Sequence, residues 1–278
     1  MSRARIVVFH RAVGFVHRSI PDAVAAIERL GAAHDLDVVA TDDPDALATH
    51  LTAIDPGDEI GAAVFVHTSG DVLPADGQRR ALEAFVRRGG GFFGIHAASS
   101  MGGEEPGSVR ATWPWFRELV GAAFVGHTAA RAWCDRPVEQ RPGLVHAGPL
   151  ADAPADAEWL GRELAITTWE PATVRVEDPA CPAAAGLVDG ATVADEWYGF
   201  DRNPRPQVRV VATVDESTYE PALGAMGADH PVVWWRPFDG GRSVYNALGH
   251  ASSTWADPAF LAGVLGGIEL AAGLTPSV

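Results

Sequence analysis

The 278-residue chain contains no lysine; all 21 of its basic side chains are arginines. Schiff-base chemistry on a lysine amine is therefore excluded. Positive charge of any kind is scarce, because 36 Asp and Glu residues leave a formal net charge of −15. Nucleic acid and anionic membrane surfaces both require a basic face, so neither is expected as a partner. The two cysteines, Cys134 and Cys181, cannot build a disulfide framework and do not have CxxC spacing. No apolar run approaches the roughly 20 residues of a bilayer span. The opening "MSRARIVVFH" goes directly into a strand-like run, so no secretory leader is expected. Repeats and low-complexity tracts are missing as well. These absences lead to the expectation of a soluble, cytoplasmic protein.

What the chain does have is 47% hydrophobic residues and length for a large core. Strand-like runs alternate with amphipathic ones. "RIVVFH", "LDVVAT", "GAAVFVHTSGD" and "GFFGIH" read as four strands. Between them, "PDAVAAIERLGAAH", "DPDALATHL" and "PADGQRRALEAFVRRGGG" read as helices, the last stopping on glycine. "WPWFRELVG" reads as a further helix. Such alternation predicts an α/β, three-layer, doubly wound and mostly parallel sheet of the flavodoxin-like type. After about residue 172, "ATVRVED", "RVVATVDEST", "VVWWRPF" and "RSVYNALG" predict an antiparallel extension with an edge hairpin. Asp257-Pro258 predicts the cap and first turn of a closing helix to about Ala272. No linker divides the chain, so one domain over 1–278 is expected. The stretch at about 129–171 has little periodicity and reads as an excursion or lid.

Ligands of doubly wound sheets bind beyond the carboxyl ends of the strands. His10, His67 and His96 each close a predicted strand, and His17 follows in the first loop. The segment "GGGFFGIHAASS", Gly89–Ser100, has the strand-turn-helix context of a nucleophile elbow, with histidine at the display position. Thiolate chemistry is thereby excluded there; His96 can be a general acid/base, a metal ligand or a core histidine that holds the loop. "ADEWYGF" sets Glu196 among the aromatics Trp197 and Tyr198, and "YNALGH" ends a strand near His250. "GADHP" offers Asp229 and His230, and "GHT" offers His127. Trp113 and Trp115 flank a turn that looks exposed, where indole rings can stack on sugar faces.

Taken in order, "GFVHRSIP", "VHTSGDVL", "RRGGGFFGIHAA", "WPWFRELVGAAF…GH", "TVRVEDPACPA", "DEWYGFDRNPRP", "MGADHPVVWW" and "GGRSVYNALGH" closely resemble the ThuA-like (trehalose utilisation) family. The resemblance runs from about Ile6 to Gly273. It implies the class I glutamine amidotransferase-like fold without its cysteine nucleophile, and a role in carbohydrate utilisation. The positions matching the family's polar pattern are His17, His96, His127, Glu196, Asp229, His230 and His250. His10 and His67 stand where the family more often has small or amide residues, and the 129–171 excursion is longer than usual.

Three functions follow as expectations. One is an enzyme acting on a sugar or keto-sugar by hydrolysis, isomerisation or elimination. Its catalytic groups would be His96, Glu196 and His250, with substrate held by His17, Trp113, His127, Trp197, Tyr198, Asp229 and His230. A second adds a divalent metal, most plausibly zinc. Its ligands would be three of His10, His67, His96, His127, His250 and Glu196, with His10, His67 and His96 the first choice. No other cofactor is implied. The third is a non-catalytic sugar-binding module. The partner in each case is a small molecule, and assembly into a homo-oligomer is compatible with all three.

Overall fold

The computed structural model describes residues 3–54, 61–101, 113–129, 131–132, 158–160, 164–221, 223 and 225–275. A nine-stranded sheet runs through the molecule. Its parallel half comprises β1 (Arg5–Phe9), β2 (Asp37–Thr41), β3 (Gly61–Val66), β4 (Gly91–Ile95) and β14 (Gly241–Asn246). Their order, β2-β1-β3-β4-β14, is the flavodoxin-like order. β3 and β4 are buried at every residue, which explains why "GAAVFV" and "GFFGI" carry no polar alternation.

Helices α1 (Ile20–Ala33) and α5 (Pro258–Ala272) cover one face, while α2 (Pro44–Ala53) and α3 (Asp76–Arg87) pair on the other. The short α4 (Pro114–Val120) packs on β14. α5 begins as its sequence predicts, with the Asp257 side chain accepting from the Ala259 N–H at 2.9 Å. It approaches β4 closely because Gly91 has no side chain; a Cβ there would lie 2.0 Å from the Ala271 carbonyl oxygen. Phe9, Phe65, Phe92 and Phe116 interlock in the core with successive ring centroids 5.1, 5.2 and 5.7 Å apart. Each fully buried phenylalanine contributes about 1.5–3 kcal/mol.

The antiparallel extension is β13 (Pro231–Phe238), β12 (Arg209–Asp215), β9 (Glu170–Val176) and β10 (Thr192–Asp195). The consecutive strands β9 and β10 form the antiparallel edge, while the tight hairpin of β13 and β14 is internal. β14 pairs parallel to β4, and its hairpin partner β13 reverses the direction and begins the antiparallel half. Two smaller sheets complete the described fold. β5 (Phe124–His127) pairs with β11 (Tyr198–Phe200), and β6 (Arg131–Ala132), β8 (Leu164–Thr167) and β7 (Glu158–Leu160) form a three-stranded antiparallel sheet. The latter lies inside the stretch read as an excursion, whose other residues up to 163 are largely outside the described set, Cys134 among them. Among the described residues, no helix is long and apolar enough to cross a membrane.

Candidate functional site

β3 and β4 each end in a histidine with left-handed backbone, His67 at φ 51° and His96 at φ 50°. A β-carbon in that region costs on the order of 1–2 kcal/mol, so the surroundings must hold it there. For His96 they do. Its carbonyl accepts from the Tyr245 hydroxyl at 2.8 Å and from Ser99 Oγ at 3.3 Å, and the Tyr198 ring lies 4.1 Å from the imidazole. Nδ1 is 2.7 Å from the Ala247 carbonyl oxygen, which can only accept. Nδ1 therefore carries a proton, and Nε2 faces the site.

Nε2 of His96 lies 3.2 Å from Glu196 Oε2, and His250 Nδ1 lies 3.2 Å from the same oxygen. The two ring nitrogens are 3.3 Å apart. His17 completes the group: one donor atom from each of His17, His96, Glu196 and His250 lies within 4.8 Å of the others. His17 is buried, and its Nδ1 has no hydrogen-bond partner among the described residues. Glu196 is fixed through its other oxygen, which accepts from Thr168 Oγ1. Beneath it, the fully buried Asp195 carboxylate accepts the N–H groups of Glu196, Gly249 and His250 at 2.8, 2.7 and 3.1 Å.

Burial, with positive charge on His96 and His250 opposing a further proton, lowers His17 to a pKa of about 2. His67 lies well below its ordinary value, first through complete burial and then through the neighbouring histidines. Burial alone would raise the Glu196 carboxyl, but the charge and hydrogen bonds of His250 and His96 outweigh it and hold it well below the usual carboxylate range. Burial raises Asp195 against the pull of His96 and of its N–H donors. The site thus presents a neutral imidazole beside an anionic carboxylate. Zinc bonds of about 2.0–2.1 Å at tetrahedral angles place ligand atoms about 3.3 Å apart. The triangle of His96, Glu196 and His250 has edges of 3.2, 3.2 and 3.3 Å. A cation or a shared proton is the chemistry those separations accommodate.

The first-choice metal set needs correction. His67 closes β3 as expected but lies under the site, stacked 4.6 Å from His17 with Nε2 3.3 Å from Ser19 Oγ. His10 follows β1 yet is not part of the donor group; the loop beyond it brings His17 there instead. The stacking platforms also need correction. Trp113 is buried against Phe116 and donates to Glu83. Trp115 donates to Asp239, and Trp197 is buried and donates to the Glu170 carbonyl. Tyr198 is a buried support beneath His96. His230 is buried too, holding the Tyr198 carbonyl and the side chains of Tyr219 and Glu216. Asp229 pairs with Arg205 and Asn203. His127 stands at the rim, 39% exposed, with Nδ1 2.7 Å from the Thr128 carbonyl and 3.7 Å from Glu196 Oε1. Sequence reasoning missed Asp195 and Thr168. The first adjoins Glu196 in "ADEW", a visible signal; the second sits in the aperiodic stretch and gives none.

The site and sheet define a flavodoxin-like α/β protein with histidine, not cysteine, at the turn after β4. The chain belongs to the ThuA family, described as trehalose utilisation, whose sequence profile matches residues 5–271. That description places the family in a carbohydrate-related role. The fold is similar to a ThuA-like protein from Bacteroides uniformis, with TM-score 0.63, 18% identity and coverage of 95% of this chain and 89% of that one. A ThuA-like protein from Parabacteroides merdae gives TM-score 0.60 at 16% identity, over 99% and 92%. A cytoplasmic protein from Salmonella typhimurium gives 0.51 at 10%, over 96% and 98%. No curated protein matches the chain.

Proposed function

We propose that this chain is a metal-dependent enzyme acting on a sugar or keto-sugar, with His17, His96, His250 and Glu196 as the ligands of a divalent ion such as zinc. The observation that carries the reading is the triangle of His96 Nε2, Glu196 Oε2 and His250 Nδ1, whose edges of 3.2–3.3 Å suit a tetrahedral ion. His17 supports it, because it brings a fourth donor atom within 4.8 Å of the others and its burial disfavours the charged ring. When bound, the ion supplies Lewis acidity that activates water or polarises a carbonyl. Glu196 supplies the negative charge that balances it, and Ala247 fixes the tautomer of His96. Proton transfer then falls to the part-exposed His127, whose Nδ1 is committed to the Thr128 carbonyl, leaving Nε2 for a substrate. Hydrolysis, isomerisation and elimination of a keto-glycoside all fit this set. A cytoplasmic setting belongs to the proposal, as for the Salmonella relative described by that word.

The test is elemental analysis of the tag-free protein beside His96→Ala, followed by incubation with 3-keto-trehalose and other 3-keto-glycosides, with and without a chelator. A near-stoichiometric divalent ion that is absent from the variant, with turnover abolished by the chelator, is the expected result. Failure to take up zinc from a supplemented buffer removes the metal. Turnover without metal then leaves His96 and His250 as acid/base groups. Sugar binding with no turnover across the panel makes the chain a binding module.

A further inference from the structure

Six large apolar side chains stand exposed among the described residues, and three of them, Val13, Phe15 and Val16, fall in four consecutive positions of the loop after β1. The loop's backbone is tied to the segment after β3. The Val13 and Gly14 N–H groups donate to the Ser69 carbonyl at 2.9 and 3.2 Å, and Ser69 Oγ donates to the Phe15 carbonyl at 2.6 Å. Ala12 and Ser69 add a parallel bridge. A loop pinned in this way holds its apolar side chains in water, which is unfavourable unless something covers them.

The position of the lip indicates what that is. The Phe15 ring meets His17 edge-on at 4.8 Å. His17 in turn lies 5.0 Å from His96 and 5.2 Å from His250, ring centre to ring centre. Phe15 is thus one ring away from the donor group. The tryptophans that would otherwise stack on a sugar, Trp113 and Trp197, are used in the core. Phenylalanine between two valines, without a hydroxyl or indole N–H, offers a sugar hydroxyl nothing to bond with.

We propose that Val13, Phe15 and Val16 form an aglycone subsite, so that the substrate class is a glycoside whose leaving side is an apolar or aromatic group. This takes the sugar reading of the His/Glu group as given and adds the second half of the substrate. Covering a phenyl-sized face on Phe15 favours an aryl over a methyl glycoside by about tenfold.

The probes are phenyl and methyl 3-keto-α-glucoside, with dissociation constants measured by calorimetry on the full chain. Wild type is expected to prefer the phenyl compound about tenfold. Phe15→Ala should bring the ratio to near unity, and Phe15→Trp, which restores an aromatic face, should restore it. Metal content, read in parallel, reports on the donor group independently. Equal binding of the two glycosides to wild type, or a preference unchanged in Phe15→Ala, overturns the subsite while leaving the sugar reading intact. Binding of neither overturns both. A change of oligomeric state in Phe15→Ala by light scattering, without a change in the ratio, makes the lip a self-association face and also overturns the subsite.

Discussion

The Asp195 carboxylate accepts the backbone N–H of His250 at 3.1 Å while its other oxygen accepts that of Gly249 at 2.7 Å, tying the strand that leads into Glu196 to the loop that carries His250. Glu196 N–H joins the same carboxylate at 2.8 Å, so one buried anion sets the spacing of two donors. Asp195→Ala leaves three buried N–H groups without an acceptor and is expected to cost about 3–5 kcal/mol in urea unfolding. Asp195→Asn keeps one carbonyl and should cost less, while weakening metal retention about 10–100-fold. Equal stability of wild type and Asp195→Ala would show that the tie carries no load.

The donor group divides the histidines in a way that metal analysis can check. Glu196→Gln and His17→Ala should lose most of the bound ion after dialysis, because the first removes the negative charge of the group and the second one of its ligand atoms. His10→Ala should retain it, since His10 is outside that group. Loss of metal in His10→Ala would mean that the ligand set has been drawn wrongly.

Acid should destabilise the metal-free protein early. His17, His67 and His230 are all depressed from an ordinary value of 6.5, each first by burial. Below pH 6.5 the unfolded chain takes up protons at these positions and the folded chain does not. Their contribution to stability is therefore complete above pH 6.5 and is lost as pH falls. Each group adds up to about 1.4 kcal/mol per pH unit to that slope. Glu196, depressed below 4.5, adds a loss of the same sign below that pH. Urea midpoints of the chelator-treated protein should fall steadily from pH 6.5 downward; a flat profile to pH 5 would contradict the buried neutral histidines.

Gly249 controls the approach to His250. Its φ is +113°, and a Cβ there would meet the Phe260 ring at 3.0 Å. Gly249→Ala is expected to cost about 1–3 kcal/mol and to displace His250, lowering metal retention along with the melting temperature. Retained metal with a lowered melting temperature would separate the strain from the site.

Local pattern determined much of this protein. The apolar runs of β3 and β4, the amphipathic α3 and the Asp257-Pro258 cap of α5 all form where short-range preferences place them, because burial on both faces and helical spacing leave a direct mark on composition. The elbow at His96 was legible for the same reason: a strand-to-turn junction with glycines is a local event.

Which side chains meet was a decision of the tertiary structure. His10 and His67 close strands and His17 lies in a loop, yet it is the turn taken after β1 that brings His17 to the donor group and leaves His67 beneath it. The tryptophans of the "WPW" segment look like exposed platforms, but α4 and the packing of Phe116 draw Trp113 into the core. Asp195 acts only because the fold carries Gly249 and His250 to it from more than fifty residues away. Secondary structure depends on neighbours in sequence, whereas a site assembled from four separate segments depends on distances that no local preference encodes.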